Sequence, residues 1–98
     1  WAGHCCVIVA LPNQLDHSRF GFSVSKRVGK AVRRNKVRRR LREIVRHHVA
    51  QIRPGWDIVI IARPAANTEN YTTLQETLLS LFRRANLWIE APEKVEKP

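Results

Sequence analysis

Two short runs near the start of the chain have the hydrophobic patterns of β-strands. Residues 5–11 are apolar and largely small or β-branched, which favours a strand. Residues 20–25 alternate between large apolar side chains and the small residues Gly21, Ser23 and Ser25, which predicts a half-buried strand with one open polar face. The seven residues between the runs are rich in turn formers, so we expect the two strands to pair as a hairpin.

The next segment changes to the period of an α-helix. From Lys36 to about Gln51 the apolar positions recur on one helical face: Val37, Leu41, Ile44, Val45 and His48. Asn35 is the predicted N-cap, because its side chain can accept an unpaired backbone N–H of the first turn. Residues 26–34, which contain Gly29, are predicted to form a basic loop before this helix. Pro54 and Gly55 end the helix and turn the chain.

The last third of the chain predicts one more strand and one more helix. Residues 56–62 contain four consecutive β-branched side chains, which indicates a strand buried on both faces. A helix is expected to begin at Thr72 or Thr73, where Thr73 and Glu76 resemble a capping box. Its apolar stripe consists of Leu74, Leu78, Leu81, Phe82 and Ala85.

These elements give the order β-β-α-β-α and predict one α+β domain over residues 1–90. Helices packed against a small sheet make a two-layer α-β sandwich. Residues 91–98 contain two prolines and mixed charge, and are predicted to be a disordered tail. The chain begins at Trp1 and contains no Met, so we expect the natural N-terminus to lie upstream.

The formal net charge of +10 is concentrated in one segment. Residues 19–46 hold 12 Lys and Arg side chains and one acid, Glu43. The other 70 residues hold 6 basic and 7 acidic side chains, so they are close to neutral. A focused excess of this kind indicates a polyanionic partner. No apolar run approaches the roughly 18 residues of a membrane span, so no membrane contact is expected.

The basic side chains of the first helix form a row beside its apolar face. Relative to Val37, the side chains of Arg38, Arg42 and Arg46 lie at about 100°, 140° and 180° around the helix axis. Arginines one turn apart suit a line of phosphates, and each can bind a phosphate through two parallel hydrogen bonds. Glu43 alone cannot pair with all of them. A helix that reads DNA bases would carry Asn, Gln or Ser side chains aimed at them, whereas this helix carries mainly Arg, so structured RNA is the favoured partner.

Other reactive side chains give weak signals. Cys5 and Cys6 are adjacent and are not expected to pair, which fits a reducing cytoplasm. We interpret them as small buried hydrophobic residues, since a metal site would need a second cluster of ligands. Asp16 and Asp57 are isolated in sequence, and His47 and His48 are adjacent on a helix, so they cannot converge on one site. We therefore predict no catalytic residue, no metal ligand and no cofactor bound by the protein itself.

The segment RFGFSVSKRVGKAVRRNKVRRRLRE, residues 19–43, resembles the signature of the bacterial ribonuclease P protein family. The strand 21–26, the turn 29–32 and the arginine-rich helix start 34–39 carry the resemblance, and the strand 57–63 extends it. The resemblance implies a subunit of an endoribonuclease that matures the 5′ end of tRNA. It further implies that the catalytic RNA subunit, with Mg²⁺ at the RNA active site, performs the hydrolysis, and that the β-α-β crossover is left-handed against the general rule.

The resemblance and the charge pattern together define two candidate sites. The expected contacts with the catalytic RNA are Lys26, Arg27, Lys30, Arg33, Arg34, Asn35, Lys36, Arg38, Arg39, Arg42 and Arg46. The resemblance implies a cleft for the 5′ leader of precursor tRNA between the arginine-rich helix and the sheet, and we expect Gly21, Ser23 and Ser25 to form its floor. One protein per catalytic RNA is expected.

The chain departs from the family pattern in two places. The usual N-terminal segment, which supplies a helix and part of the cleft, is not seen, and the strand 5–11 lacks the aromatic residue that relatives often place there. A structural ribosomal protein is the alternative, since it would also be small, basic and α+β. A protein-only nuclease is a second alternative, but it would need a cluster of carboxylates or histidines.

Overall fold

The computed structural model describes residues 1–89 of the 98-residue chain. The predicted element order β-β-α-β-α is confirmed. The elements are β1 Cys6–Pro12, β2 Arg19–Ser23, α1 Ala31–His48, β3 Trp56–Ala62 and α2 Tyr71–Arg84. Short 3-10 turns occupy Lys26–Val28, Val49–Gln51 and Pro64–Asn67. The predicted tail at residues 91–98 lies outside the described residues.

The three strands form one sheet with the order β1-β3-β2. β3 pairs antiparallel with β1 and parallel with β2. The predicted β1–β2 hairpin is therefore wrong, because these strands lie at opposite edges of the sheet. β3 is rich in β-branched residues and takes the central position, where both of its edges are paired. The chain reaches β3 from β2 through α1, as a β-α-β crossover requires. The left hand of this crossover stays a prediction.

Both helices pack on the same face of the sheet. Alternate strand positions on this face, such as Ile8, Ile58 and Ile60, are fully buried against apolar side chains of α1 and α2. The opposite face, here called the outer face, consists of the other alternate positions. Val9 and Val59 on the outer face are 47% and 40% exposed. The prediction that β3 is buried on both faces is therefore wrong, since only one layer of helices covers the sheet.

α1 begins five residues earlier than the sequence predicted. Its N-cap position is Lys30, which makes no side-chain capping bond, and Asn35 lies inside the helix. The Oδ1 atom of Asn35 instead accepts a hydrogen bond from Arg38 Nη1 at 3.1 Å. The turn before the helix is set by Gly29, whose φ of +149° favours glycine. Most of the predicted basic loop is thus a 3-10 turn and the first turn of α1.

α2 begins at Tyr71, and its N-cap is Asn70 rather than Thr73. The Oδ1 atom of Asn70 accepts a hydrogen bond from the backbone N–H of Thr73 at 2.8 Å. The predicted capping box of Thr73 and Glu76 is therefore wrong. The predicted apolar stripe is confirmed for Leu74, Leu78, Leu81 and Phe82, which are all buried, whereas Ala85 is the C-cap residue and is only partly buried.

Candidate nucleic-acid interface

Three arginines form a row on one side of α1, here called the ridge: Arg38, Arg42 and Arg46. Arg42 and Arg46 are exposed, and Arg38 is half-buried. The guanidinium carbon of Arg42 lies 5.8 Å from the centre of the Phe22 ring, within the range of a cation–π contact. Because Phe22 lies on β2, this contact places the ridge along the β2 edge of the sheet.

The other predicted RNA contacts lie before the ridge and around the start of α1. Lys26, Arg27 and Lys30 are exposed on the 3-10 turn and at the N-cap position of α1. Arg34 is held in place, since its Nε donates to the Gly29 carbonyl oxygen at 3.2 Å. The remaining predicted contacts, Arg33, Asn35, Lys36 and Arg39, are exposed on α1. The structure thus brings the whole predicted set onto the turn and one helix.

Carboxylates neutralise little of this charge. Among residues 1–89, only Arg19 and Arg46 of the arginines form ion pairs with a carboxylate. Arg46 Nη2 lies 3.0 Å from Glu43 Oε2, and the same carboxylate oxygen lies 3.5 Å from His47 Nε2. The row on α1 therefore presents a positive surface that can bind phosphates.

Arg19 belongs to the fold rather than to this surface. Its Nε and Nη2 atoms donate to the two carboxylate oxygens of Asp57 at 2.8 and 2.7 Å. Asn13 Nδ2 donates to the same carboxylate at 3.0 Å. The hydrogen bonds from Arg19 and Asn13 lower the pKa of Asp57 to about 2. This network joins the start of β2 to the start of β3 and to the β1–β2 loop.

Of the three predicted leader-cleft residues, only two lie on β2. Gly21 and Ser23 pair with Val59 and Ile61 of β3, on the outer face of the sheet. Because both helices pack on the other face, the predicted position of this floor between the arginine-rich helix and the sheet is wrong. A Cβ atom added to Gly21 would meet only Val59 Cγ2, at 3.9 Å, so packing does not require glycine there. Ser25 lies beyond the end of β2, where its Oγ accepts a hydrogen bond from the Arg27 backbone N–H at 3.3 Å. The predicted placement of Ser25 on the β2 strand face is therefore wrong.

Two features of the surface were not predicted. Apolar side chains of the outer face are exposed, including Val59 beside Gly21 and Val9 and Leu11 on β1. Arg40 was left out of the predicted set, although it lies four residues after Lys36 and seven after Arg33. That helical spacing is the signal that could have identified it.

The described residues contain no cluster of three or more His, Cys, Asp or Glu side chains that could hold a metal ion. Cys5 and Cys6 are free and fully buried. Burial, together with the adjacent Cys5 thiol, raises the pKa of the Cys6 thiol, so this thiol stays protonated. No helix within residues 1–89 combines the length and apolarity needed to cross a membrane.

The family model described as Ribonuclease P matches residues 1–86. The chain belongs to the ribonuclease P protein family. The ribonuclease P protein component of Clostridioides difficile is 40% identical over 90 residues, which cover 91% of this chain and 79% of that relative. The component of Roseiflexus castenholzii is 46% identical over 88 residues, covering 89% and 72%. This membership excludes the ribosomal alternative.

Solved ribonuclease P proteins have the same fold. The Staphylococcus aureus protein, solved at 2.0 Å, superposes with a TM-score of 0.82 at 35% identity, covering 90% of this chain and 81% of that one. The Thermotoga maritima protein gives a TM-score of 0.79 at 36% identity, covering 86% and 80%. The predicted α+β fold is thereby confirmed, and the chain is a protein subunit of the endoribonuclease that matures the 5′ end of tRNA.

Proposed function

We propose that this subunit binds the catalytic RNA of ribonuclease P through α1 and the turn that precedes it. The observation that carries the proposal is the ridge, a row of arginines one helical turn apart along the β2 edge of the sheet. Such a row matches the repeated charge of an RNA backbone, and guanidinium groups bind phosphate with two parallel hydrogen bonds. Of the predicted contacts, Arg38, Arg42 and Arg46 form the ridge, and the others lie on the preceding turn and elsewhere on α1.

We further propose that the outer face holds the 5′ leader of precursor tRNA. Gly21 and Ser23 leave the backbone of β2 open to a single strand, and the neighbouring apolar side chains offer contacts for unstacked bases. The ridge lies along the β2 edge of the sheet, from which its arginines can reach the phosphates of the same strand. Ser25, beyond the end of β2, is included in this proposed site.

The protein's part in the reaction is binding and positioning. The catalytic RNA, with Mg²⁺ held at its own active site, performs the hydrolysis. The proposal includes one protein per RNA and a cytoplasmic location.

A ridge variant tests the RNA surface directly. Replacing Arg38, Arg42 and Arg46 with Ala should weaken binding to ribonuclease P RNA at least tenfold, because a hydrogen bond to a charged group contributes roughly 1.5–3 kcal/mol. The fold should persist, because the ridge lies off the core and Ala favours helix. Filter binding measures affinity and circular dichroism measures folding.

A charge-matched control separates position from total charge. It replaces Arg53, Arg83 and Arg84, all exposed and outside α1, with Ala. Its affinity for the RNA should stay within about threefold of wild type, since distant exposed charges are screened beyond roughly 10 Å. Equal losses in the two variants would contradict the ridge assignment.

The leader site is tested by filling its floor. Gly21→Leu places a large side chain on the outer face and should not harm the strand, since Leu pays less conformational entropy than Gly. We expect the preference of the holoenzyme for precursor over mature tRNA to fall by about tenfold, the loss of roughly one stacked base. Affinity for the catalytic RNA should not change, and Gly21→Ala should have a smaller effect. An unchanged preference in the Leu variant would place the leader elsewhere.

A further inference from the structure

The side of α1 opposite the ridge faces α2 and forms a groove with it. Around the helix axis, the side chains of Arg33, Lys36 and Arg40 lie at about 320°, 260° and 300° from Val37, whereas the ridge spans about 100° to 180°. Two adjoining cavities of about 410 and 490 Å³ lie along this side of α1. Together they are here called the interhelical groove.

Arg40 links the two cavities, because its side chain lines both. Its Nη1 donates to the Glu69 carbonyl oxygen at 3.2 Å, which fixes the guanidinium between α1 and the start of α2. In the first cavity Arg33 and Lys36 join it as further cations. The Glu69 carboxylate also lines this cavity, but it lies 3.1 Å from His4 Nε2. This end of the interhelical groove therefore has an excess of positive charge suited to a phosphate.

The second cavity has a different chemistry. Tyr71 presents a half-buried aromatic ring, and Arg39 adds a planar guanidinium. The Gln75 amide can both donate and accept hydrogen bonds, and the Glu43 carboxylate accepts them. Aromatic and guanidinium planes stack on unpaired bases, while amides and carboxylates bond to base edges. The volume lies within the range of small-ligand sites.

We propose that the interhelical groove binds one unstacked nucleotide of single-stranded RNA. Its base lies in the cavity at Tyr71 and Gln75, and its phosphate lies at Arg33, Lys36 and Arg40. α1 then contacts RNA on two sides, through the ridge and through this groove. The inference rests on the proposed RNA-binding function and adds a second, base-contacting site to it. The nucleotide can come from the catalytic RNA or from precursor tRNA, since both offer the same chemistry.

Crosslinking tests the position of the RNA. In the Gln75→Cys variant, a photoreactive azidophenacyl group attached to the new thiol lies in the groove. In the Ser80→Cys variant, the matched control, the same group lies on the exposed side of α2. The native cysteines are fully buried, so only the introduced thiol reacts. In holoenzyme assembled from ribonuclease P RNA and precursor tRNA, position 75 should crosslink to RNA and position 80 should not. The RNA that carries the crosslink identifies the source of the nucleotide. No crosslink at position 75, or equal crosslinking at both positions, would overturn the inference.

An affinity measurement tests the base contact. Tyr71→Leu keeps an apolar side chain but removes the aromatic ring, and it should weaken RNA binding about tenfold. Tyr71→Phe keeps the ring and should bind as wild type. If Tyr71→Leu binds normally while the ridge variant binds weakly, the groove does not hold a base and the proposed function stands. If the ridge variant also binds normally, the proposed function fails together with this inference.

Discussion

At the scale of single residues, position in the fold decides which charges are available to RNA. Arg19 lies in the basic segment of the sequence, yet its guanidinium group donates two hydrogen bonds to the Asp57 carboxylate. Arg42 lies in the same segment and rests against Phe22, with no carboxylate partner within residues 1–89. Counting charges along the chain treats these two arginines alike, whereas only the second is free to bind a phosphate.

The Asp57 network predicts a pH dependence of stability. The carboxyl has a pKa of about 2 in the folded protein, below its ordinary 3.8, so its contribution to stability is present above pH 4 and is lost as the pH falls toward 2. Asp57→Asn removes this contribution. We therefore expect the thermal midpoint of Asp57→Asn to lie below that of wild type at pH 7 and to approach it at pH 2. A gap between the two midpoints that stays constant across this range would show that the network does not stabilise the fold.

At the scale of secondary-structure elements, periodic patterns predicted the helices well and the strand pairing poorly. The core positions Val37, Leu41 and Ile44 follow from the local 3.6-residue period and are all buried. The strand order β1-β3-β2 depends on which strand takes the central position, and contacts between segments far apart in the chain decide this. Neighbouring strands in sequence therefore suggested a hairpin that does not form.

Helix starts were mispredicted for a related reason. Asn35 and Thr73 have side chains suited to capping, but a suitable side chain does not by itself end a helix. Toward the N-terminus, the helical backbone continues past both residues. α1 extends back to the turn at Gly29, whose φ is positive, and α2 extends back to Asn70. Asn70 makes the N-capping hydrogen bond that was predicted for Thr73.

Two asparagine variants test these helix starts. Asn70→Ala should lower the free energy of unfolding by about 1 kcal/mol, because it removes an N-cap bond. Asn35→Ala should change it by less than about 0.5 kcal/mol, since Ala is the better helix former at an exposed interior position. Urea unfolding gives both values. An Asn35 variant as unstable as the Asn70 variant would mean that α1 begins at Asn35 after all.

At the scale of the whole molecule, α1 has three sides with different roles: one packs on the core, the ridge lies along the β2 edge of the sheet, and the third forms the interhelical groove with α2. Residue types and helical spacing predicted the ridge from the sequence alone. The groove could not be predicted in this way, because Arg40, Tyr71 and Gln75 meet only when α2 packs against α1. The exposure of the apolar residues on the outer face could not be predicted from the sequence either, since it depends on both helices packing on the other face.

The central claim is that the arginines of α1 bind RNA phosphates, and the salt dependence of affinity measures this most directly. Neutralising several phosphates releases counterions, so log affinity for ribonuclease P RNA should fall against log salt with a slope of magnitude about 4 or more. In the ridge variant the magnitude should drop by about 2 to 3, roughly one for each lost phosphate contact. The charge-matched control should keep the wild-type slope. A wild-type slope near zero, or the same slope in wild type and ridge variant, would contradict the claim.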